Sequence, residues 1–90
     1  MSKAIVDPAE LRRFAMDLKR FNANLQGQMT VLAGRLGSLG QSWRDQENTK
    51  FVEEFESTMK VLGRFVDASE QHIPFLLRKA EKIEEYLNQR

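Results

Sequence analysis

The middle of the chain reads GSLGQSWRD over residues 37–45, and this stretch decides the fold. Glycine and serine dominate its first six residues, a composition typical of a helix end that is followed by a tight connection. We therefore predict a turn at about Gly40 to Asp45, and long apolar series with helical spacing lie on both sides of it.

The segment before the turn begins with a helix start signal. Asp7 can accept hydrogen bonds from free backbone N–H groups, Pro8 suits a first turn, and Glu10 can complete a capping box. Apolar residues then recur in steps of three and four, which places them on one helical face. They are Leu11, Phe14, Leu18, Phe21, Leu25, Met29, Leu32, Leu36 and Leu39. This pattern predicts a first helix over about 8–39.

The segment after the turn repeats the helical pattern. Its series comprises Phe51, Phe55, Met59, Leu62, Val66, Ser69, Ile73, Leu76, Ala80, Ile83 and Leu87. We predict a second helix over about 45–88, kinked at Pro74 because a proline inside a helix removes a hydrogen bond. A short loop between two long helices makes them antiparallel. The prediction is one all-α helical hairpin domain over residues 1–90, with 78–90 extending past the end of the first arm.

The apolar surface of the second arm is too wide for one opposing helix to bury. Beside its main series lie Val52, Val61, Phe65, Ala68, Phe75 and Tyr86. We therefore expect the hairpin to dimerise into a four-helix bundle, as a homodimer or with a different partner chain.

The first arm adds a row of small residues that is either a close helix contact in the dimer or incidental surface glycine. This row consists of Ala23, Gly27, Thr30 and Gly34. The predicted dimer or partner interface comprises Leu18, Ala23, Leu25, Gly27, Gly34, Phe51, Phe55, Leu62 and Phe65.

Composition argues against an enzyme and against several classes of partner. The 90 residues include no cysteine and one histidine, His72, whose neighbours offer neither metal spacing nor a nucleophile and base. No catalytic, cofactor-binding or metal site is predicted. A net charge of +1 with interleaved signs does not favour nucleic acid, and the apolar runs are too short for stable membrane insertion.

Trp43, the single tryptophan, lies in the predicted turn. A large apolar side chain with one polar N–H is suited to closing the end of a hairpin core while still touching solvent. The other interpretation is an exposed aromatic anchor for a partner protein, because interfaces favour tryptophan.

Several features occur together in this sequence: an early proline, two helical arms, and the central Ser42, Trp43, Arg44 and Asp45, followed by Phe51 and Phe55. In these features the chain resembles the WXG (ESAT-like) family of small helical hairpins. The resemblance spans nearly the whole chain. It implies a homodimeric or heterodimeric four-helix bundle and, for many members, export without a cleaved signal peptide by type VII (ESX) secretion systems. By this resemblance Trp43 is the motif tryptophan.

The chain departs from the family pattern at two places. Asp45 replaces the motif glycine, so we expect Gly40 and a capping Asp45 to make the bend. The family's tail signal is a tyrosine followed four residues later by an acidic residue, and Tyr86, its possible remnant, is followed there by Arg90.

Two interpretations of function remain open from the sequence. The first is a WXG-like protein-interaction module that is a substrate or structural component of a type VII secretion system. The alternative is a cytoplasmic adaptor or regulatory coiled-coil protein unrelated to export. Localisation is accordingly either secreted without a cleaved signal peptide or cytoplasmic.

Overall fold

The computed structural model describes residues 6–88, which form two long helices and contain no strand. Helix α1 spans Pro8–Leu39 and helix α2 spans Gln46–Asn88. The longest dimension of the molecule is 69 Å, close to the roughly 65 Å expected for α2 at about 1.5 Å per residue. The predicted all-α hairpin and the approximate bounds of both helices are confirmed.

Helix α1 begins at the predicted cap and ends in a series of tight turns. The Asp7 carboxylate accepts a hydrogen bond of 2.9 Å from the backbone N–H of Ala9, and Pro8 occupies the first turn. At the other end Gly40 has φ −63° and ψ −14°, a right-handed conformation open to any residue. The bend therefore does not use the left-handed conformation that glycine permits. Instead the backbone N–H of Trp43 donates to the Leu39 carbonyl at 2.9 Å.

Helix α2 starts on a side-chain cap and passes through its proline without interruption. One carboxylate oxygen of Asp45 accepts a hydrogen bond of 3.1 Å from the backbone N–H of Asn48. The capping role expected for Asp45 is thus present in the structure. Pro74 lies inside the continuous helix, so the second arm is not broken there.

The two helices pack along a seam that is narrower than the apolar stripe of α1. The seam residues of α1, buried or half-buried, include Leu11, Ala15, Leu18, Asn22, Leu25, Met29 and Leu36. Those of α2 include Phe55, Met59, Leu62, Val66, Ser69, Ile73, Leu76, Ala80 and Ile83. Nearly all of the predicted α2 series therefore faces α1, whereas the predicted α1 series divides into an inward part and an exposed part.

Two polar residues lie in the middle of this seam. Asn22 is fully buried, and its amide donates a hydrogen bond of 2.9 Å to a carboxylate oxygen of Glu70. The amide oxygen of Asn22 has no hydrogen-bond partner among residues 6–88. Ser69 satisfies its hydroxyl within α2 by donating to the Phe65 carbonyl at 2.8 Å. A buried amide with one fixed partner favours a single alignment of the two helices.

The far end of the hairpin is closed by an ion pair between α1 and α2. The Arg12 guanidinium donates two hydrogen bonds to the Glu84 carboxylate, at 2.6 and 2.9 Å. These bonds lower the pKa of Glu84 and raise that of Arg12 from their ordinary values. Ala80, one turn before Glu84, is fully buried. The predicted overhang from residue 78 is therefore wrong for residues 78–84, whereas 85–88 are exposed and 89–90 lie outside the described residues.

Candidate partner-binding surface

One side of the hairpin exposes a row of large apolar side chains that the seam leaves uncovered. We call this surface the open flank. Its members, each between 44% and 57% exposed, are Phe14, Phe21, Leu32, Leu39, Phe51 and Phe65. The four α1 members are spaced by 7, 11 and 7 residues, which are about two or three whole turns at 3.6 residues per turn, so they form a strip beside the seam.

The centre of the open flank is an aromatic pair that bridges the two helices. The rings of Phe21 and Phe65 meet edge to face, with centroids 6.1 Å apart and planes at 86°. Such geometry is favourable for aromatic pairs and fixes the position of both rings. Because both remain about half exposed, the pair presents a preformed apolar platform to a partner.

Towards the loop the open flank continues as a shallow apolar groove. It is lined by Leu32, Arg35, Leu36, Leu39, Phe51 and Phe55. At its end the half-buried ring of Trp43 lies 5.9 Å from that of Phe51, which lies 6.2 Å from the ring of Phe55. Trp43 therefore closes the loop end of the core, next to the Phe51 ring that lines the groove.

The predicted interface residues fall into three places in the structure. Leu18, Leu25, Phe55 and Leu62 are half-buried in the seam between the helices of one chain. Phe51 and Phe65 belong to the open flank. Ala23, Gly27 and Gly34 are exposed on the outside of α1. The sequence-based set therefore mixes the intramolecular seam with residues that are free to meet a partner.

The small-residue row lies well away from the open flank. At about 100° per residue, Ala23, Gly27 and Gly34 point roughly 160° away from the α1 members of the flank. A Cβ atom added at Gly27 or Gly34 would meet no atom within 4 Å. One partner surface cannot cover both rows, so the residues of the predicted interface lie on two separate candidate surfaces.

Phe14 and Phe21 were missing from the predicted interface although both were in the apolar series of α1. Spacing alone does not show which members of a broad stripe face the second helix. The signal that could have separated them is residue size, because close helix contact selects small residues such as Ala15 and favours bulky ones at the edge.

The histidine and acidic side chains of the described residues are dispersed along the two helices. Within 6–88 no three side chains of the His, Cys, Asp and Glu types are grouped as a metal site would need. His72 is exposed on α2. Neither described helix combines the length and apolar character that crossing a membrane requires.

The predicted tail signal is only partly within the described structure. Tyr86 is 71% exposed near the end of α2. Arg90, at the position where the family pattern has an acidic residue, lies outside the described residues.

Comparison with known proteins places this geometry in a family. The family model WXG100, "Proteins of 100 residues with WXG", matches residues 4–86. A comparison with curated proteins gave no match.

Solved structures of EsxB, a secreted protein from Bacillus anthracis strain Sterne, share the fold. The selenomethionine-labelled protein is 27% identical, with a TM-score of 0.79 over 98% of this chain and 100% of that chain. A proline-to-alanine mutant gives a TM-score of 0.85 at 27% identity, over 96% of this chain and 100% of that one. A glutamate-to-glutamine mutant gives a TM-score of 0.75 at 26% identity, over 100% of this chain and 99% of that one.

Proposed function

The chain belongs to the WXG100 family, and from this premise we propose that it acts as a homodimeric four-helix bundle that binds other proteins, as a substrate or structural component of a type VII secretion system. The open flank is the observation that carries the dimer. It exposes four aromatic rings, Phe14, Phe21, Phe51 and Phe65, on one side of a hairpin that has only two helices with which to bury them.

The energetics of a lone hairpin favour this assembly. Complete burial of one large apolar side chain contributes about 1.5–3 kcal/mol, and the six flank residues are each about half exposed. Apolar surface of this kind concentrated on one face of a small protein is typical of an interface. Two copies related by a twofold axis would place the same surface against itself, which gives a closed dimer.

The flank also supports self-association through its shape. The Phe21–Phe65 pair stands at its centre and the groove lined by Leu32 and Phe51 lies nearer the loop. Protruding rings beside a groove provide the knobs and holes of helix packing, so a second copy supplies complementary features without any loop rearrangement.

The export part of the proposal rests on the family and on the likeness to a secreted protein. EsxB of Bacillus anthracis is described as secreted, and the two chains match over nearly their full lengths. The alternative, an adaptor or regulatory coiled coil retained in the cell, shares the hairpin and its flank. Secretion from the native host therefore decides between them.

The dimer is tested by measuring solution mass by light scattering for the full chain and two matched variants. Phe65→Glu places a charge in the open flank, whereas Phe75→Glu makes the same change on the outside of α2, where Phe75 is 57% exposed. We expect a dimer for the native chain and Phe75→Glu, and a shift towards monomer for Phe65→Glu. Phe65→Ala, with helicity followed by circular dichroism, separates lost association from lost folding. A monomeric native chain, or an equal effect of both charges, would contradict the proposal.

Export is tested separately by following the tagged chain in cells and culture medium. We expect it in the medium of a host with an intact type VII system and its retention when the system's ATPase is inactivated. Retention in both strains, with normal cell lysis controls, would support the adaptor interpretation instead.

A further inference from the structure

The C-terminal half of α2 separates its charges onto two sides of the helix. Between residues 57 and 88 the basic residues are Lys60, Arg64, Arg78, Lys79 and Lys82, and the acidic ones are Asp67, Glu70, Glu81, Glu84 and Glu85. At about 100° per residue, each set occupies its own arc of roughly 100°. The nearly neutral charge of the whole chain therefore conceals a basic side along this part of the helix.

The basic arc points away from α1 and from the open flank. Its residues are exposed, whereas the acidic side includes Glu84 and Glu70, which bond to α1. The arc lies roughly 100° around α2 from Phe51 and Phe65. The centre of the arc thus stays accessible after the seam has formed and after a second copy has covered the flank, whereas Val61, one turn from Phe65, borders the flank.

Apolar side chains at heptad spacing run from one edge of this arc, at Val61, to its middle, at Phe75. Val61, Ala68 and Phe75 recur every seven residues, and Val61 and Phe75 are 55% and 57% exposed. Phe75 forms a shallow depression of about 280 Å³ with Arg78, Lys79 and Lys82. The ion pairs within residues 6–88 are Arg12–Glu84 and Arg20–Asp17, so these three basic side chains have no carboxylate partner in that range.

We propose that this arc, the outer patch, is a docking site for an acidic amphipathic helix of another protein. An apolar row at heptad spacing with flanking charges is the pattern that packs against a second helix. Basic flanks on this side call for acidic residues beside the apolar row of the partner. The proposal goes beyond dimerisation, because it concerns a different face of α2.

Other anionic partners fit the outer patch less well. A helix that lies in a membrane surface needs a broad apolar face, whereas this arc has one apolar residue every two turns. Single-stranded nucleic acid needs closely spaced aromatic rings for stacking, and Phe75 has no aromatic neighbour in the depression. An apolar row at heptad spacing, here Val61, Ala68 and Phe75, is typical of helix packing and is not needed for phosphate binding.

The probe is a fluorescein-labelled synthetic peptide of three heptads with leucine at the seam positions and glutamate beside them. A shuffled peptide of the same composition, in which the leucines no longer share one face, is the comparison. Binding to the full chain is followed by fluorescence anisotropy at low and high salt. We expect saturable binding of the ordered peptide that weakens with salt, and little binding of the shuffled one.

Variants locate the binding on α2. We expect Phe75→Ala and the double change Lys79→Glu with Lys82→Glu to raise Kd by at least about tenfold. Lys50→Glu, an exposed change on the same side of α2 nearer the loop, is the charge-matched control and should change Kd less than about twofold. Circular dichroism verifies that each variant keeps its helices.

Several results would overturn the outer patch as a helix site. They are no saturable peptide binding at low salt, equal binding of the shuffled peptide, and equal effects of the patch and control variants. Tighter binding of a 20-base-pair DNA or of phosphatidylglycerol vesicles through the same residues would assign the patch to another partner. Solution mass and Phe65→Glu test the dimer independently, so failure of one proposal is distinguishable from failure of the other.

Discussion

The Glu84 carboxylate is held by two hydrogen bonds from Arg12, a residue 72 positions earlier in the chain, at 2.6 and 2.9 Å. This contact joins the first turns of α1 to the last turns of α2. Its side chains are 44% and 38% exposed, so solvent screens the attraction and its effect on stability is modest.

The ion pair predicts an acid-dependent loss of stability. Because the pKa of Glu84 in the fold lies below its ordinary value of 4.5, the contribution is present above that value and is lost as pH falls through the lower one. We expect Glu84→Gln to reduce the loss of stability below about pH 4.5, measured by urea unfolding at several pH values. Glu85→Gln, an exposed neighbour without an ion pair in the described range, should leave the pH profile unchanged.

Alanine at two helix glycines distinguishes the two candidate interfaces. A Cβ atom at Gly27 or Gly34 meets open space, and alanine is favoured over glycine in a helix by about 0.8–1 kcal/mol. We expect the double alanine variant to be about 1–2 kcal/mol more stable per hairpin and to remain a dimer by light scattering. Gly63→Ala, whose Cβ also meets open space on α2, controls for helix propensity. A monomeric double variant with a dimeric control would assign the dimer contact to the small-residue row.

Replacement of the buried amide tests the polar contact in the seam. Asn22 is fully buried with one oxygen unpaired among residues 6–88, and an unsatisfied buried group costs about 1–3 kcal/mol. We expect Asn22→Leu to raise the free energy of unfolding by about 1 kcal/mol in urea titration. Glu70→Gln keeps an acceptor for the Asn22 amide and should change the free energy of unfolding little. A clear loss of stability in Asn22→Leu would show that the amide bond outweighs its desolvation.

The side-chain cap at the start of α2 predicts that substitutions of Asp45, the residue at the position of the motif glycine, lower stability to different degrees. The Asp45 carboxylate accepts from Asn48, and removing such a cap costs about 1 kcal/mol with alanine and only a few tenths with glycine. We therefore expect Asp45→Ala to lower Tm most, Asp45→Gly less, and Asp45→Asn least. Thermal unfolding by circular dichroism measures the order. Equal effects of alanine and asparagine would mean that the carboxylate bond contributes nothing.

The fold was readable from the sequence because its signals are local. Asp7 and Pro8 mark where α1 starts, the 37–45 stretch marks the turn, and the apolar series of α2 has one dominant face. Its members from Phe55 to Ile83 lie in the seam as expected. Periodicity of this kind shows directly which face of a helix is buried.

The side of α1 that meets α2 could not be read in the same way. The tightest seam positions on α1 are Ala15 and Asn22, residues that an apolar pattern passes over, while Phe14 and Phe21 are exposed beside them. Close approach of two backbones selects small side chains, and this depends on the partner helix, which the sequence of one helix does not contain. The charge separation on α2 is hidden for a related reason, because the net charge of +1 sums over all faces of both helices.

The closed end of the hairpin makes the molecule a rod with two unlike poles. Residues 6 and 88 emerge at the pole held by Arg12 and Glu84, whereas Trp43 occupies the other, roughly 60 Å away at about 1.5 Å per residue. A label attached at residue 6 or at residue 88 would therefore lie at the same pole and leave the tryptophan pole bare. In a dimer the alignment of the rods decides whether four chain ends meet or separate into two pairs. Energy transfer between labels at the termini would report that alignment directly.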